Sequence, residues 1–357
     1  MDHQLRRKRL AARLPDLGLD ALLVTRRPNV RYLTGFTGSN GQVLLTAETT
    51  VFLTDGRYIE QARHEVPDLE RTICEDGFPD AVASGCGDLD ATAVGFESAG
   101  LSYQQWHDLS DRAPRLELAP VGDEVEQLRW VKDPEELAML ERAQAATDQA
   151  FEEILERLAV GVTEREISME LEQALRAAGA DGIAFAPIVA FGENAAEPHH
   201  DPNHRGLDEG DIVKLDFGAL VGGYHADMTR TVSFGEPAAE IRRIYDVVRR
   251  AQRAGIDAVH PGASGGDVDR AARTVIEEAG YGERYTHGLG HGVGLEIHEG
   301  PQLRKDGPDV LPPGAVVTVE PGIYVPGLGG VRIEDMVEVA EGGCRPLPAA
   351  TKDLVVL

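Results

Sequence analysis

Two aspartates, Asp216 and Asp227, lie in a stretch of the 357-residue chain that reads as a β-hairpin. The segment DIVKLDFGALVGGYHADMTRT (211–231) alternates with period two on either side of a glycine-containing turn, and each strand carries one acid. A turn centred on Val221-Gly222 would place the acids directly opposite each other, with Cβ atoms roughly 5 Å apart. Two carboxylates at that distance repel, so one must hold a proton or a cation must lie between them. A hairpin whose acids simply face water is the alternative.

Three histidines follow within one glycine-rich segment, THGLGHGVGLEIHEG (286–300). They are His287, His291 and His298, and the glycines between them allow the backbone to approach another group closely. A single histidine is more often a surface or core residue than a ligand. Three so close together favour a binding or catalytic site.

Two glutamates complete the set of residues that could do chemistry. The run VVTVE (316–320) predicts a strand that ends in Glu320, and the PGIY that follows predicts a turn that aims this acid out of the sheet. The run VRIEDMVEV (331–339) predicts one strand with Arg332 and Glu334 on the same face. An unpaired carboxylate among apolar residues is costly, although each acid taken singly could be a solvated strand end. Together with one imidazole, four acids would form an oxygen-rich site for two divalent metal ions: Asp216, Asp227, Glu320 and Glu334.

The ligand types in this set suit Mn²⁺ best, with Co²⁺, Zn²⁺ and Fe²⁺ as alternatives.

The elements that must position these residues follow from apolar periodicity in the second half of the chain. Asp133 and Pro134 predict the start of a helix that reaches about residue 158, and Thr163 with Glu166 predicts the capping box of a second helix that reaches about residue 179. A strand is predicted over 183–191, and two more helices over 238–258 and 266–279. A helix pair followed by strands thus occurs twice, at 134–231 and 238–338, which hints at a pseudo-twofold structure.

The first 125 residues predict an α/β domain of their own. Strands are expected over 20–25, over 30–36, on both sides of a turn at 47–49 and over 92–96, while helices are expected over 4–14, 58–65 and 103–111. Such alternation favours a mixed or parallel sheet covered by helices. The domain boundary is expected near 124–134, which divides the chain into domains 1–125 and 126–357.

The charge excludes some partners. A formal net charge of −26 argues against nucleic acid and against anionic membrane surfaces. The basic residues comprise five lysines and thirty arginines, and an acid-rich, lysine-poor composition is one solution to staying soluble at high salt. We therefore expect a halophilic source, although a coding bias could explain the ratio of arginine to lysine.

The N-terminal segment and the distribution of apolar residues bear on the location of the protein. The N-terminal segment is charged and has no apolar core of the kind found in signal peptides, and no apolar run approaches the roughly 20 residues of a membrane span. We therefore expect residence in the cytoplasm. Cys74, Cys86 and Cys344 match no metal or redox motif.

These motifs resemble those of a known family. The order LDFG, HADMTRT, GHGVGLEIHE, VEPGIY and VRIED is similar to that of the pita-bread metallopeptidases, and within them the Xaa-Pro peptidases, which comprise aminopeptidase P and prolidase. LDALLVT, NVRYLTGFTGSN and TDGRY resemble the creatinase-type N-terminal domain of the same enzymes. The resemblance implies a creatinase-like α/β domain followed by a pita-bread domain, α+β in class, with a duplicated helix pair and an antiparallel sheet.

The resemblance also implies metal-dependent hydrolysis of the bond between an N-terminal residue and proline, with a hydroxide shared by two divalent metal ions as the nucleophile. Asp216 would chelate one metal ion, and His291 with Glu320 the other. Asp227 and Glu334 would bridge the two. The family commonly forms homodimers, and its substrates here would be Xaa-Pro dipeptides or short peptides.

Other functional positions carry over from the same resemblance. His199 and His298 would contact substrate and stabilise the tetrahedral intermediate, and Glu320 would carry the proton to the proline nitrogen. Arg332 resembles the arginine typical of Xaa-Pro peptidases, and Tyr324 would orient it. His287 would line the pocket near the proline ring, whereas the remaining nearby histidines have a weaker claim: His200, His204 and His225.

Two other functions are possible at this point. A methionine-aminopeptidase-like enzyme would share the five ligands but usually lacks the N-terminal domain and the Arg-x-Glu pattern. A non-catalytic pita-bread module that binds a protein partner would typically have lost ligands, which are intact here, and creatinase itself lacks them. Dipeptidase and aminopeptidase activity are not distinguished by these motifs.

Overall fold

The computed structural model describes residues 1–75 and 77–357, which divide into two units, Met1–Arg129 and Trp130–Leu357. Each unit has its own sheets and apolar core. None of the described helices combines the length and the apolar character that a membrane span requires.

The first unit is built on one six-stranded sheet. Its strands are β1 (Ala21–Val24), β2 (Gly41–Thr46), β3 (Thr50–Thr54), β4 (Glu70–Ile73), β5 (Ala93–Glu97) and β6 (Glu117–Val121). Its helices are α1 (His3–Ala11), α2 (Leu14–Leu17), α3 (Arg27–Thr34), α4 (Ile59–Glu65), α5 (Phe78–Asp88), α6 (Tyr103–Arg112) and α7 (Glu124–Trp130), the last of which reaches the start of the second unit. The strand order is β4-β3-β2-β1-β5-β6, and β1 pairs antiparallel with β2 but parallel with β5. The predicted mixed sheet is confirmed.

One predicted strand of this unit is wrong. Residues 30–36 lie mostly within helix α3, which has Pro28 in its first turn and ends at Gly35, a left-handed residue with φ of 81°. Its buried residues include Val30, Leu33 and Thr34, which have the three- and four-residue spacing of a helix rather than the two-residue spacing of a strand. The strand β4 and helix α5 were not predicted at all.

The second unit repeats a helix pair followed by antiparallel strands. The first pair is α8 (Pro134–Leu155) and α9 (Glu164–Ala177), and the second is α10 (Ala239–Ala258) and α11 (Gly265–Glu278). After the first pair come β7 (Gly182–Ile183), β8 (Ile188–Phe191), β9 (Ile212–Phe217), β10 (Ala219–Val221), β11 (Tyr224–His225) and β12 (Met228–Ser233). After the second come β13 (Gly290–Gly292), β14 (Glu299–Leu303), β15 (Val316–Val319), β16 (Gly322–Val325), β17 (Gly329–Arg332), β18 (Asp335–Ala340) and β19 (Gly343–Pro346).

The strands of this unit form small antiparallel sheets. The orders are β11-β10-β7, β12-β9-β8, β14-β13-β15-β18-β19 and β16-β17. One apolar cluster joins α10 and α11 to the five-stranded sheet, and it includes Val248, Val268, Val317 and Val337. The two helix pairs therefore cover sheets whose strands carry the acids and histidines singled out above.

Both helices of the first pair start as predicted. The side chain of Asp133 accepts hydrogen bonds from the main-chain N–H groups of Glu135 and Glu136, and Thr163 forms a capping box with Glu166. These caps satisfy N–H groups that have no partner within the helix, and so they fix where each helix begins.

Three strand predictions need correction. The segment 183–191 is two short strands, β7 and β8, because Pro187 lacks the N–H that a continuous ladder needs. The PGIY segment is not a turn, since Gly322 to Tyr324 belong to β16. The segment 331–339 is split between β17 and β18, which pair with different partners, so the chain changes sheets at Ile333 and Glu334.

Candidate metal centre and substrate cavity

The four acids and the central histidine of the predicted site line one cavity of about 660 Å³ in the second unit. They are Asp216, Asp227, His291, Glu320 and Glu334. The wall also includes the apolar side chains of Phe185, Pro187, Ile188 and Ile297. A cluster of acids therefore lies beside an apolar surface large enough for part of a small substrate.

Asp216 and Asp227 come from one hairpin but are not directly opposite each other. The register of β9 and β12 places Asp216 opposite Thr229, and β10 and β11 turn at Gly222-Gly223. Both glycines have positive φ, 58° and 84°, as a type I′ turn requires. The predicted pairing is therefore wrong by two residues. Asp227 lies two residues before the partner of Asp216, and both acids line the same cavity.

Glu320 and Glu334 are held by the ends of neighbouring strands. Glu320 directly follows β15, and its main-chain N–H donates to the carbonyl of Leu289 at 2.8 Å. The main-chain N–H of Glu334 donates to the carbonyl of Thr229 at 3.1 Å, and the Thr229 hydroxyl donates to Oε2 of Glu334 at 2.6 Å. Thr229 thus connects Glu334 to β12, which pairs with β9, the strand that carries Asp216.

His291 presents a ring nitrogen to these acids. Its Nδ1 lies 3.0 Å from the carbonyl oxygen of Gly292, which can only accept, so Nδ1 carries the proton. The other nitrogen, Nε2, lies 3.4 Å from Oε1 of Glu320 and 3.6 Å from Oδ2 of Asp227. Burial lowers the pKa of His291 to about 4, which keeps the ring neutral at pH 7. A neutral imidazole with a free Nε2 lone pair is the form that binds metal.

The electrostatics of the cluster favour a bound cation. Burial, followed by the charges of Glu334 and Asp216, raises the pKa of Asp227 well above its usual value. Burial also raises the pKa of Glu320 to about 8 and raises that of Glu334, whose carboxylate is further opposed by Glu320. Ligand atoms of Asp227, His291 and Glu334 lie within 4.8 Å of one another.

A buried oxygen without a hydrogen-bond partner also favours a bound cation. Oδ1 of Asp216 is buried and accepts no hydrogen bond from any residue that the structure describes. A buried acceptor without a partner loses the hydration it had in the unfolded chain. The donor set of four carboxylates and one neutral imidazole therefore fits divalent metal ions, which would satisfy that oxygen and relieve the repulsion.

Arg332 and Tyr324 form a hydrogen-bonded chain beside the acids. The Arg332 guanidinium donates to Oδ2 of Asp216, to the Tyr324 hydroxyl at 2.9 Å and to the Thr229 hydroxyl at 3.0 Å. Tyr324 lies 2.9 Å from Nε2 of His287. The Nδ1 of His287 faces the carbonyl of Gly288 at 2.8 Å, so Nε2 is the acceptor and Tyr324 donates to it.

This chain fixes the tautomer of His287 and the orientation of Arg332. Burial, followed by the charge of Arg332, lowers the pKa of His287 to about 4, so the ring is neutral. Burial also raises the pKa of Tyr324 to about 12, which keeps its hydroxyl protonated. Arg332 and His287 line the cavity, and Tyr324 lies behind them.

The other predicted histidines divide into two groups. His298 and His199 line the cavity, and the His298 ring packs edge-on against that of His291 with centroids 4.4 Å apart. His200 also lines it but binds Glu164 and Glu197 through its two nitrogens at 2.8 and 2.7 Å. His225 faces the carbonyl of Gly294 at 3.0 Å and does not line the cavity, while His204 is exposed elsewhere.

Sequence reasoning missed two residues that support the site. Lys214 is fully buried on β9, two residues before Asp216, and donates to main-chain carbonyls of the segment that carries His199. Glu164 is also fully buried, and it accepts hydrogen bonds from His200 and from the N–H groups of Phe191 and Asn203. The sequence does mark Lys214, as a charged residue inside an apolar strand. It does not mark Glu164, because an acid in the first turn of a helix is common.

Comparison with known families decides the affiliation. Residues 138–341 match the family described as Metallopeptidase family M24, and residues 6–131 match the Creatinase/Prolidase N-terminal domain. The chain belongs to metallopeptidase family M24. The predicted family and fold class are thereby confirmed, and the M24 region contains every residue of the acidic cluster.

Several relatives of this M24 peptidase are similar over nearly their whole length. A curated Xaa-Pro dipeptidase from Pyrococcus horikoshii is 34% identical over 340 residues, which cover 94% of this chain and 95% of the relative. A solved Xaa-Pro dipeptidase from Bacillus anthracis is 39% identical with a TM-score of 0.97, covering 99% of this chain and 100% of that one. A solved X-Pro aminopeptidase from Thermotoga maritima is 36% identical with a TM-score of 0.89, covering 97% and 100%.

Proposed function

We propose that this M24 metallopeptidase hydrolyses the peptide bond between an N-terminal residue and proline. The observation that carries the proposal is the convergence of four carboxylates and a neutral, metal-competent imidazole on one cavity with an apolar wall. The wall of Phe185, Pro187, Ile188 and Ile297 suits the ring of a proline. The names of the relatives, which include both Xaa-Pro dipeptidases and an X-Pro aminopeptidase, support the same reaction.

Five residues would hold two divalent metal ions in this proposal: Asp216, Asp227, His291, Glu320 and Glu334. Asp216 has its unsatisfied Oδ1 available for one ion, while Arg332 and Thr229 hold the carboxylates of Asp216 and Glu334 in place. When bound, the ions supply a water of lowered pKa and a Lewis acid for the scissile carbonyl. We propose Mn²⁺ as the native metal, because carboxylate-rich sites suit it, with Co²⁺, Zn²⁺ and Fe²⁺ as alternatives.

The remaining residues would bind substrate and move protons. Glu320 lines the cavity beside His291 and would carry a proton to the proline nitrogen. His298 and His199 line the cavity and would donate to the developing oxyanion. Arg332, oriented by Tyr324, would direct the substrate, and His287 would contact the proline ring.

A rim residue favours a dipeptide as the substrate. Arg304 is exposed at the edge of the cavity, directly after β14, and its guanidinium forms no ion pair or hydrogen bond with the described part of the chain. Gln302 and Arg304 face the cavity, while Leu303 between them is buried in the core. An unpaired guanidinium there would bind the terminal carboxylate of an Xaa-Pro dipeptide through paired N–H···O bonds. We therefore propose dipeptidase rather than aminopeptidase specificity.

The setting of the enzyme is part of the proposal. We propose that it acts in the cytoplasm as a homodimer, and that residues 126–357 form the catalytic domain after an N-terminal domain of residues 1–125. The net charge of −26 supports a salt-rich source and opposes binding to nucleic acid or anionic membranes.

The test is proline release from Ala-Pro by protein stripped with a chelator and then supplied with Mn²⁺ or Co²⁺. Activity should vanish on stripping and return with metal, and Ala-Ala should be a poor substrate. A parallel assay with Met-Ala-Ser tests the methionine-aminopeptidase alternative. Hydrolysis that survives metal removal would exclude the metal centre, and absence of proline release from metal-loaded protein would exclude the Xaa-Pro activity.

A further inference from the structure

Lys214 is a buried lysine whose hydrogen bonds go to one loop. The residue is fully buried on β9, between Val213 and Leu215 in the chain. Its Nζ donates to the carbonyl oxygens of Ala195 at 3.2 Å, of Glu197, and of Pro198 at 3.5 Å. Burial lowers the pKa of this amine to about 6, and in either protonation state its N–H groups face these carbonyls. A buried polar group is costly unless it is hydrogen-bonded, and here the partners are main-chain dipoles.

The same loop carries His199 to the cavity. Pro198 directly precedes His199, and both residues line the cavity wall. A second basic side chain holds the same carbonyl, since Nη1 of Arg332 donates to the oxygen of Pro198 at 3.1 Å. The peptide group that leads into His199 is therefore held by two basic side chains from different strands.

Lys214 and Arg332 are each close in the chain to an acid of the cluster. Lys214 lies two residues before Asp216 on β9, and Arg332 lies two residues before Glu334. Because side chains two apart share a face of a strand, Lys214 and Asp216 have a fixed separation along β9. A contact from Lys214 to the loop thus sets the position of His199 relative to Asp216.

The opposite side of the loop is held by an anion. Oε2 of Glu164 accepts from Nε2 of His200 at 2.8 Å and from the N–H of Asn203 at 3.1 Å. The carbonyls of Ala195, Glu197 and Pro198 and the N–H of Asn203 are thus hydrogen-bonded by buried side chains. The loop has the features of a pre-organised support rather than of a mobile connection.

We propose that Lys214 is a positioning residue that fixes His199 over the metal centre for hydrolysis. The proposal rests on the proposed Xaa-Pro peptidase activity. It assigns no contact with substrate to Lys214 itself. Its effect on the reaction passes through the carbonyls of Glu197 and Pro198 to the imidazole of His199.

A double-mutant cycle separates positioning from general stability. We expect K214M to lower kcat for Ala-Pro by about 10- to 100-fold, since a shift of about 1 Å in a catalytic group has an effect of that order, while KM changes less. In an H199A background, K214M should lower kcat by less than about threefold, because the group it positions is gone. Hydrogen exchange of peptides covering 195–203 should accelerate in K214M, while peptides covering β12 stay protected.

The control is K352M, which removes a lysine of the same unit that donates to Asp335 and does not contact the loop. Its effect should add to that of H199A. If K214M does not fold, K214Q, which keeps two N–H donors, replaces it in the cycle. Equal effects of the Lys214 substitution in the presence and absence of His199 would overturn the proposal, as would failure of both substitutions to fold. A wild-type protein without Xaa-Pro activity would instead overturn the proposed function.

Discussion

The neighbouring acids Glu334 and Asp335 meet opposite charge environments, although both side chains are buried. The pKa of Glu334 is raised by burial and by the carboxylates of Glu320 and Asp216. Asp335 instead accepts from Arg230 at 2.8 Å, Gln252 at 2.9 Å and Lys352 at 2.6 Å. The charge of Arg332 offsets the raised pKa of Glu334 only in part, whereas Asp335 contacts two cations directly.

This contrast predicts opposite effects on stability in the metal-free protein. E334Q should raise Tm by about 2 °C or more, because it removes a repelled carboxylate while the amide oxygen can still accept from Thr229. D335N should lower the free energy of unfolding by about 3–5 kcal/mol, because it removes the negative charge that pairs with buried Arg230 and half-buried Lys352. Thermal unfolding in excess chelator measures both. The interpretation of Glu334 as a repelled acid is wrong if E334Q is less stable than wild type without metal.

Substitutions at Glu334 and Asp335 also distinguish a metal ligand from a structural acid when Mn²⁺ is added. Mn²⁺ should raise the Tm of wild type strongly and that of E334Q much less, because binding to the folded state alone stabilises by mass action. D335N should keep its metal-induced shift in Tm. A loss of that shift in D335N would mean that Asp335, not only Glu334, holds the metal.

Glu320 gives a pH dependence whose sign can be worked out. Its pKa is about 8 in the folded metal-free protein and 4.5 in a free side chain, so the folded state binds more protons between these values. Stability contributed by this group is therefore present below pH 4.5 and is lost as pH rises to 8. Wild type should lose stability relative to E320Q over that range. Urea unfolding of both proteins at several pH values, with chelator, measures the difference.

Saturating Mn²⁺ provides the control for the pH effect. A bound cation favours the carboxylate of Glu320, so the loss of stability with rising pH should disappear in wild type. Parallel pH curves for wild type and E320Q without metal would show that Glu320 does not hold its proton to neutral pH.

The sequence located the acids of the site better than it located their partners. Strand periodicity and an acid among apolar residues marked Asp216, Glu320 and Glu334, and the resemblance to Xaa-Pro peptidases supplied the remaining positions. The register between Asp216 and Asp227 was missed because the Val221-Gly222-Gly223 segment permits two turn positions. Gly222-Gly223 is chosen since both residues must have positive φ.

Contacts that join side chains to distant main-chain atoms were beyond prediction. Lys214 and Glu164 bind main-chain groups of the loop around His199, and a main-chain carbonyl leaves no mark in the sequence. The split of 331–339 into two strands was missed for a similar reason. Side chains alternate between the two faces throughout this segment, so the pattern predicts a single strand. The chain bends at Ile333 and Glu334 because β17 and β18 pair with different strands.

Substitutions at Tyr324 and Arg332 should lower activity to different extents. Y324F should lower kcat/KM by about tenfold, because it removes one hydrogen bond to Arg332 and one to His287, each worth roughly 1 kcal/mol. R332K should cost more, since one ammonium cannot reach Asp216, Thr229 and Tyr324 as the planar guanidinium does. Steady-state kinetics on Ala-Pro with saturating Mn²⁺ measures both. A Y324F enzyme as impaired as R332K would contradict the assigned order of roles.

The charge of −26 predicts a dependence on salt. At about 0.1 M salt the screening length is about 10 Å and the many surface acids repel, whereas at about 1 M it falls to about 3 Å. The free energy of unfolding should therefore rise from low salt to multimolar KCl. Denaturation by urea, which is uncharged, measures this without adding ionic strength. Equal stability at both salt concentrations would contradict the expectation of a halophilic source.

Arg304 predicts a preference for a free carboxylate directly after proline. Wild type should hydrolyse Ala-Pro with a kcat/KM about 10- to 100-fold above that for Ala-Pro amide, because a charge-assisted pair of hydrogen bonds is worth roughly 1.5–3 kcal/mol. R304Q should bring the ratio of the two substrates close to one, mainly through KM. The matched control is K305Q, which removes the adjacent exposed cation that does not line the cavity and should keep the wild-type ratio. If R304Q lowers hydrolysis of both substrates equally, Arg304 does not bind the carboxylate; if wild type cleaves Ala-Pro-Ala as well as Ala-Pro, the enzyme is an aminopeptidase.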